Sequence, residues 1–390
     1  MLSRRLPHDA TPNAWSRLLA ERRGSGATLL DLTEANPTRV GLGGAGEDTL
    51  AALADPAAVR YEPDPRGARA AREAVAGYYA DRGIRVDADD LVLTAGTSES
   101  YAHLFRLLAD PGDAILAPAP SYPLLEPIAA LEGVALRPYR IAWDGCWHVD
   151  LGSVAEALAP GARAMVLVQP NHPTGSCLDA RELAEVEALC ERHGVALIAD
   201  EVFGDFPWRD QRVGPGLPSL LGARRVPTFV LSGLSKVCGM PQLKLGWIAV
   251  AGPDGARAEA RHGLEWIADL FLTVGTPVQA ALPRLLAGRQ AWQARMRERI
   301  AVNRARLGDV VAQSPALERR DGVGGWVAVL KLPGGRDEEA WVLELLRRDV
   351  VVHPGAFYDF EDEPYLVLSL IVAPGVFATG LERIAALASD

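Results

Sequence analysis

LSGLSKVCGMPQLKLGW, residues 231–247, surrounds a single lysine with apolar sequence on both sides. Apolar residues lead in from Val226 to Leu231, and a Ser/Gly turn follows. Lys236 then stands ahead of a loop and a second apolar run, Leu243 to Val250. A lysine between two strand-like runs is costly to bury without a partner. Most lysines escape that cost by keeping the ammonium in water. Here small residues fill 232–233, Ser235 adjoins, and a second cation, Lys244, follows eight residues on. In a chain of net charge -10, two cations in an apolar hinge imply an anion between them. A desolvated lysine beside another cation has a lowered pKa and attacks a carbonyl carbon as a neutral amine. That is Schiff-base chemistry, and the cofactor that matches it is pyridoxal phosphate.

The sequence on either side of this stretch supplies further parts. LVLTAGTSESYAHLFRLLAD, residues 91–110, reads as strand, glycine turn and helix. Gly96 allows a tight turn, and Thr97 and Ser98 offer donors at the helix start, which is the physical form of a phosphate cradle. A simple capped helix has the same local signature. Residues 162–206 alternate buried-type runs with a helical pattern, the signature of a βαβ unit in a parallel sheet. Asp200 ends the run VALIAD, and ligands of parallel sheets sit at the carboxyl ends of strands. A carboxylate there can pair with a protonated pyridine nitrogen. Residues 67–83 predict an amphipathic helix after the YEPDPRG turn at 61–67, and a short helical segment is expected near Trp15–Ala20.

Composition bounds the alternatives. The 390 residues are 49% hydrophobic and 23% charged, which suits one large or two moderate globular domains. The acidic excess argues against a nucleic-acid partner, which needs a basic face. No apolar run reaches about 18 residues, so no membrane span is expected. MLSRRLPHDATPN lacks the apolar core of a secretory signal. Cys146, Cys177, Cys190 and Cys238 are widely spaced and form no Cys-x-x-Cys, so reduced thiols of a cytoplasmic protein are expected. No histidine pair has metal-ligand spacing, and no metal is expected.

SGLSK followed by LKLGW resembles the lysine motif of class I and II aminotransferases, pyridoxal-phosphate enzymes of the aspartate-aminotransferase fold. YEPDPRG at 61–67, TAGTSES at 94–100, PNHPTG at 170–175 and ADEVF at 199–203 agree with further family blocks in the same order. The resemblance covers about residues 30–385. It implies an α/β fold, with a large domain holding a mostly parallel seven-stranded sheet between helices. A smaller α+β domain would be built from the C-terminal part and the N-terminal segment. The expected bounds are 1–45 for the arm and small-domain segment, 46–285 for the large domain and 286–390 for the small one. Lys236 would be catalytic and would carry the cofactor. Gly96, Thr97, Ser98, Ser235 and Lys244 would take its phosphate. Tyr122 would stack on the ring, His172 and Phe203 would lie near the ring oxygen, Asn171 would belong to the same cofactor site, and Asp200 would pair with the ring nitrogen. Tyr61 and Thr276 would reach the phosphate of a partner subunit, which implies a homodimer with composite sites. The substrates implied are a small-molecule amino donor and a 2-oxo acid acceptor.

The chain departs from the family pattern around the ring and the substrate. His172 stands where the family has asparagine, and Phe203 where it has tyrosine. Phe203 cannot hydrogen-bond to the ring oxygen, which predicts a raised pKa for the lysine Schiff base. Lys244 replaces an arginine and offers a point charge in place of a bidentate fork. Val367 occupies the position of the arginine that clamps the substrate carboxylate. Arg39, after the Asn36-Pro37 break, is the candidate replacement, and an uncarboxylated amine substrate is the other solution. A carbon–sulfur β-lyase, a decarboxylase or an inactive cofactor-binding relative remain alternatives on the same scaffold. A nicotinamide dehydrogenase is disfavoured, because GTSES lacks G-x-G-x-x-G.

Overall fold

The computed structural model describes residues 3, 5–6, 11–44, 46–158, 160–208, 216–361 and 363–389. Its centre is a sheet whose strands run, in spatial order, Leu91–Thr94, Gly246–Ala251, Thr228–Gly233, Ala196–Asp200, Ala162–Val168, Ala114–Ala119, Ala135–Trp143 and Trp147–Val149. The five strands from Thr228–Gly233 to Ala135–Trp143 are mutually parallel. Gly246–Ala251 runs antiparallel to both of its neighbours. The expected seven strands become eight because Ala135–Trp143 turns back through Gly145, at φ +109°, and pairs with the short strand Trp147–Val149.

The strands are apolar on both faces because helices cover both faces. Alternate residues feed two cores. Leu93, Leu167, Leu197, Val230 and Trp247 lie in one, and Val92, Val166, Ile198, Phe229 and Ile248 in the other. The amphipathic pattern after the YEPDPRG turn forms the helix Arg69–Ala80, and Ala71, Val75, Tyr78 and Tyr79 are its buried face.

A second, antiparallel sheet has the order Glu318–Arg320, Val327–Lys331, Tyr365–Ser369 and His353–Pro354. The N-terminal strand Leu30–Asp31 pairs in parallel with Val350–Val351. Leu32 then enters a third core with Leu366, Phe377, Leu381 and Ile384. The helix near Trp15 spans Ala14–Gly24, and Leu19 packs on Leu346 and Val351.

The 25-residue helix Arg289–Gln313 connects the two sheets. Trp292, near its start, lies against Phe206 and Trp326, and Leu307 and Val310 lie in the third core. A buried ring of this kind contributes about 1.5–3 kcal/mol through area removed from water. The turn before Val327–Lys331 is also tied directly to the large sheet's loops. Val323 N–H donates to Gly175 O at 2.7 Å, and Trp208 N–H donates to Val323 O at 2.8 Å. Gly175 itself is required there, since a Cβ would sit 2.6 Å from Gly324 O.

Among the described residues no helix is long and apolar enough to cross a membrane. None of them form a group of three or more His, Cys, Asp or Glu side chains fit to hold a metal ion.

Candidate active site

The same-sense strands end on one side of the large sheet, and the antiparallel strand Gly246–Ala251 begins there. Their loops therefore converge, as open α/β sheets require of a ligand site. Asp200 ends one strand, the Lys236 turn follows another, and Gly96 follows a third. Lys244 precedes the antiparallel strand. All four line one cavity of about 370 Å³, together with Thr97, Ser98, Tyr122, His172, Phe203 and Ser235.

Gly96 caps the helix Thr97–Leu108 with φ +146°, a backbone that residues with a Cβ avoid. A Cβ on Gly96 would lie 3.6 Å from Lys244 Nζ, so the ammonium sits directly over the helix start. Lys244 is itself left-handed, at φ 50° and ψ 57°. A non-glycine residue held so costs about 1–3 kcal/mol and persists only where its surroundings demand it. The result is a cation, free N–H groups and hydroxyls aimed at one place, which is an anion-binding donor set.

Asp200 is 6% exposed, and burial raises its carboxyl to about 6. Two donors oppose the rise: Val202 N–H to Oδ1 and Tyr101 O–H to Oδ2, each at 3.1 Å. Burial lowers the Lys236 amine to about 8, against the pull of the Asp200 charge. Its Nζ rests 4.8 Å from the Trp326 ring centroid and 5.5 Å from that of Phe203. Burial also lowers His172 to about 3, with the Lys236 charge adding to the effect, so this imidazole is neutral. It stacks on Phe203 at 5.7 Å and meets Tyr358 edge-on at 5.4 Å.

Other sequence candidates lie elsewhere. Asn171 is buried and does not line the cavity, and its amide donates to Pro120 O at 3.1 Å and to Thr174 Oγ1 at 3.0 Å. It holds the turn that presents His172. Tyr61 and Thr276 both line a separate surface depression. Arg39 is not brought to the cavity. Its side chain is 73% exposed and pairs with Glu34 at 3.3 Å, next to a turn in which the Asn36 side chain accepts from Thr38 N–H and Oγ1. Val367 is 2% exposed and packs with Val327 and Tyr358.

Three residues belong to the site that the sequence did not mark. Tyr101 falls one helical turn after Thr97, which is the only signal it carried. Trp326 lines the cavity from the turn before the second sheet, following the two glycines of GGW. Gln293, on the long helix, donates to Val237 O at 2.9 Å and to Asp205 Oδ2 at 2.8 Å. It thereby anchors the residue after Lys236 to a buried group that includes Tyr78 and Arg82.

Comparison with known proteins follows the same lines. The family model "Aminotransferase class I and II" matches residues 28–366. The glutamate-pyruvate aminotransferase AlaA of Escherichia coli strain K12 is 28% identical over 270 residues, 68% of this chain and 65% of that protein. The tyrosine aminotransferase of Mus musculus is 31% identical over 221 residues, 56% of this chain and 48% of that protein. The matched stretch thus spans between about half and two thirds of these relatives' length. The solved alanine aminotransferase from Pyrococcus furiosus shares the fold with a TM-score of 0.88 at 21% identity, covering 100% of both chains.

Proposed function

Because the chain belongs to the class I and II aminotransferases, we propose that it is a pyridoxal-phosphate enzyme that moves an amino group from a donor amine to a carbonyl acceptor. The pair that the family implies is an amino acid and a 2-oxo acid. The observation that carries this reading is the meeting in one cavity of Lys236, Asp200, Lys244 and the Gly96–Ser98 turn. The donor set fits the cofactor: a cation beside a helix start where no Cβ intrudes, a buried carboxylate and one amine of lowered pKa.

Pyridoxal phosphate, when bound, supplies an aldehyde carbon that takes up amines and a ring that accepts the electron pair of a broken substrate C–H bond. Lys236 would hold it through Nζ. With its pKa lowered to about 8, Nζ is neutral often enough near pH 7 to act as nucleophile and then as proton carrier. Asp200 would hold the ring-nitrogen proton, with Tyr101 and Val202 N–H keeping the carboxyl ionised and oriented. Lys244, Ser235 and the N–H groups from Gly96 to Ser98 would bind the phosphate. His172 would donate one hydrogen bond to the ring oxygen, and Phe203 would give only a ring face. Tyr122, 36% exposed at the cavity's edge, would cover the ring.

The active form is proposed to be a homodimer. Tyr61 and Thr276 share one surface depression apart from Lys236, as two groups serving a partner's site would. Exposed Val59, Trp266, Leu270 and Phe271 belong to the same elements or their neighbours. The four unbridged cysteines support a cytoplasmic setting.

The decisive test is chemical. Purified protein loaded with pyridoxal phosphate is expected to be yellow, to lose its visible band on borohydride treatment, and to carry the pyridoxyl label on Lys236. A label on another residue, or no uptake of cofactor, refutes the reading.

A further inference from the structure

The turn at Gly96 is held from behind by a side chain outside the cavity. Glu99 stands in the first turn of the helix Thr97–Leu108. A carboxylate at that place ordinarily reaches back to the N–H of the capping residue. Here it reaches one residue further, and Glu99 Oε2 accepts from the Ala95 N–H at 2.6 Å. The Gly96 N–H has no protein partner among the described residues. Ala95, Gly96, Thr97 and Ser98 all line the cavity, and Glu99 does not.

The same oxygen has a second donor. Thr273 Oγ1 donates to Glu99 Oε2 at 2.7 Å, from 174 residues further along the chain. Thr273 follows Leu272, whose φ of +47° is left-handed. A non-glycine residue is costly to hold there and persists only where its surroundings demand it. Leu270, Phe271 and Leu272 are 62%, 52% and 37% exposed. On the other side of Thr273, Gln279 Nε2 donates to Val274 O at 2.7 Å, and Gln279 Oε1 accepts from the Ala68 N–H at 2.6 Å. Ala68 follows the YEPDPRG turn. Thr273, Val274 and Thr276 line the depression that holds Tyr61. The 270–276 segment is thus tied at one end to the Tyr61 turn and at the other, through Glu99, to the Gly96 turn.

A carboxylate placed so can act in two opposite ways. As a charge in the first helical turn it competes with a bound anion for the same field, which weakens phosphate binding. As an acceptor it fixes the backbone whose N–H groups face the anion, which strengthens binding. Both donors to Oε2 come from outside the helix, one from the turn itself and one from a distant segment. That pattern belongs to a support rather than to a helix cap.

We propose that Glu99 is a positioning residue for the cofactor phosphate. Through the Ala95 N–H and Thr273 it ties the Gly96 turn to the 270–276 segment, and so sets how tightly a phosphate is held without touching it. The inference rests on the aminotransferase reading and adds to it a residue outside the cavity. It concerns what aims this chain's own donors, and it holds whether or not a second copy adds further ones.

The test compares pyridoxal phosphate with pyridoxal, which has the same ring and aldehyde and no phosphate. Each is titrated into cofactor-free protein and followed by the visible band, with the borohydride label first mapped to Lys236. Glu99→Ala should weaken pyridoxal phosphate about tenfold and change pyridoxal by less than about threefold. Glu99→Gln keeps an acceptor oxygen and drops the charge, so both affinities should stay within about threefold of the unaltered protein. Thr273→Val keeps the shape and loses the hydroxyl, and should weaken pyridoxal phosphate about threefold to fivefold.

Tighter binding of pyridoxal phosphate by both Glu99 variants would show a carboxylate that acts only as a repelling charge, and overturns the inference. An equal loss of both ligands in Glu99→Ala marks a general structural role and overturns it as well. An unchanged affinity in Thr273→Val removes the tie to the 270–276 segment and with it the proposal. In each of these cases the label on Lys236 leaves the aminotransferase reading standing. A label elsewhere, or no uptake of either ligand by the unaltered protein, overturns that reading and the inference together.

Discussion

At the scale of single residues, burial moves the pKa values of two groups in the cavity toward each other. Lys236 is lowered to about 8 and Asp200 raised to about 6, in both cases chiefly by burial. In cofactor-free protein, amine-directed labelling of Lys236 is therefore expected to rise with a midpoint near pH 8, well below the ordinary 10.5 of lysine. A midpoint near 10 would show that the amine is not desolvated. Lys236→Ala should fold and lose turnover by about 10³ or more, since nucleophile and proton carrier vanish together.

Asp200 gives a signed pH dependence. Its pKa is raised, so the proton is lost only as pH climbs through about 6, and the ionised carboxylate proposed to face the ring nitrogen is lost as pH falls through the same value. Tyr101→Phe removes a hydrogen bond that stabilises the ionised form. The pH at which cofactor affinity declines should then move upward, by up to about one unit. A downward move would show that Tyr101 serves the protonated acid instead. Arg39→Ala, at a 73% exposed side chain with one surface ion pair, should change kcat/KM by less than about twofold. A loss of two orders would restore Arg39 as a substrate clamp.

At the scale of elements, function depends on where strands stop. Asp200, the Lys236 turn and Gly96 meet because three strands of one sense end on one side of the sheet. A side chain at Gly96 is strained by the backbone, whose φ is +146°, while its Cβ would lie in ordinary contact with Lys244 Nζ at 3.6 Å. Gly96→Ala should cost about 1–3 kcal/mol of stability and weaken cofactor retention more than Ser98→Ala, measured by dialysis. Equal retention in the two variants would remove the turn from the phosphate site. The lysine's own helix, Leu234–Val237, is only four residues long and draws little strength from its own hydrogen bonds. Gln293 supplies an outside anchor at Val237 O.

At the scale of the whole molecule, the cavity is assembled from both sheets. Trp326 comes from the turn before the small sheet, held to the large one through Gly175, Phe206 and Trp208. Assembly is expected to extend to a second copy. Sedimentation at micromolar concentration should give twice the 41.7 kDa chain mass. A fully active species at 41.7 kDa would exclude composite sites. Tyr61, 79% exposed, should on change to Ala reduce cofactor affinity without destabilising the single chain.

Local patterns and the family resemblance made the fold class legible in the sequence, together with several residues that line the cavity. Strand runs, glycine turns and helix starts are local patterns, and a lysine or aspartate at the end of such a run is legible where it stands. The Lys236 turn, the Gly96 turn and the strand-end Asp200 were read in this way, and the structure places all three on one cavity, whereas the domain layout was an expectation from the family resemblance. Tertiary structure decided what depends on approach between distant segments. Tyr101 matters only because its helix lies over Asp200, 99 residues away in sequence. Trp326 and Gln293 act only because the second sheet and the long helix fold against the lysine turn. Arg39 lies away from the cavity for the same reason. Its place in the chain is beside the cavity segment, but its side chain pairs with Glu34 next to the Asn36 turn. Sequence spacing gives the order of groups along the chain, whereas the wall of a cavity is made by packing across it.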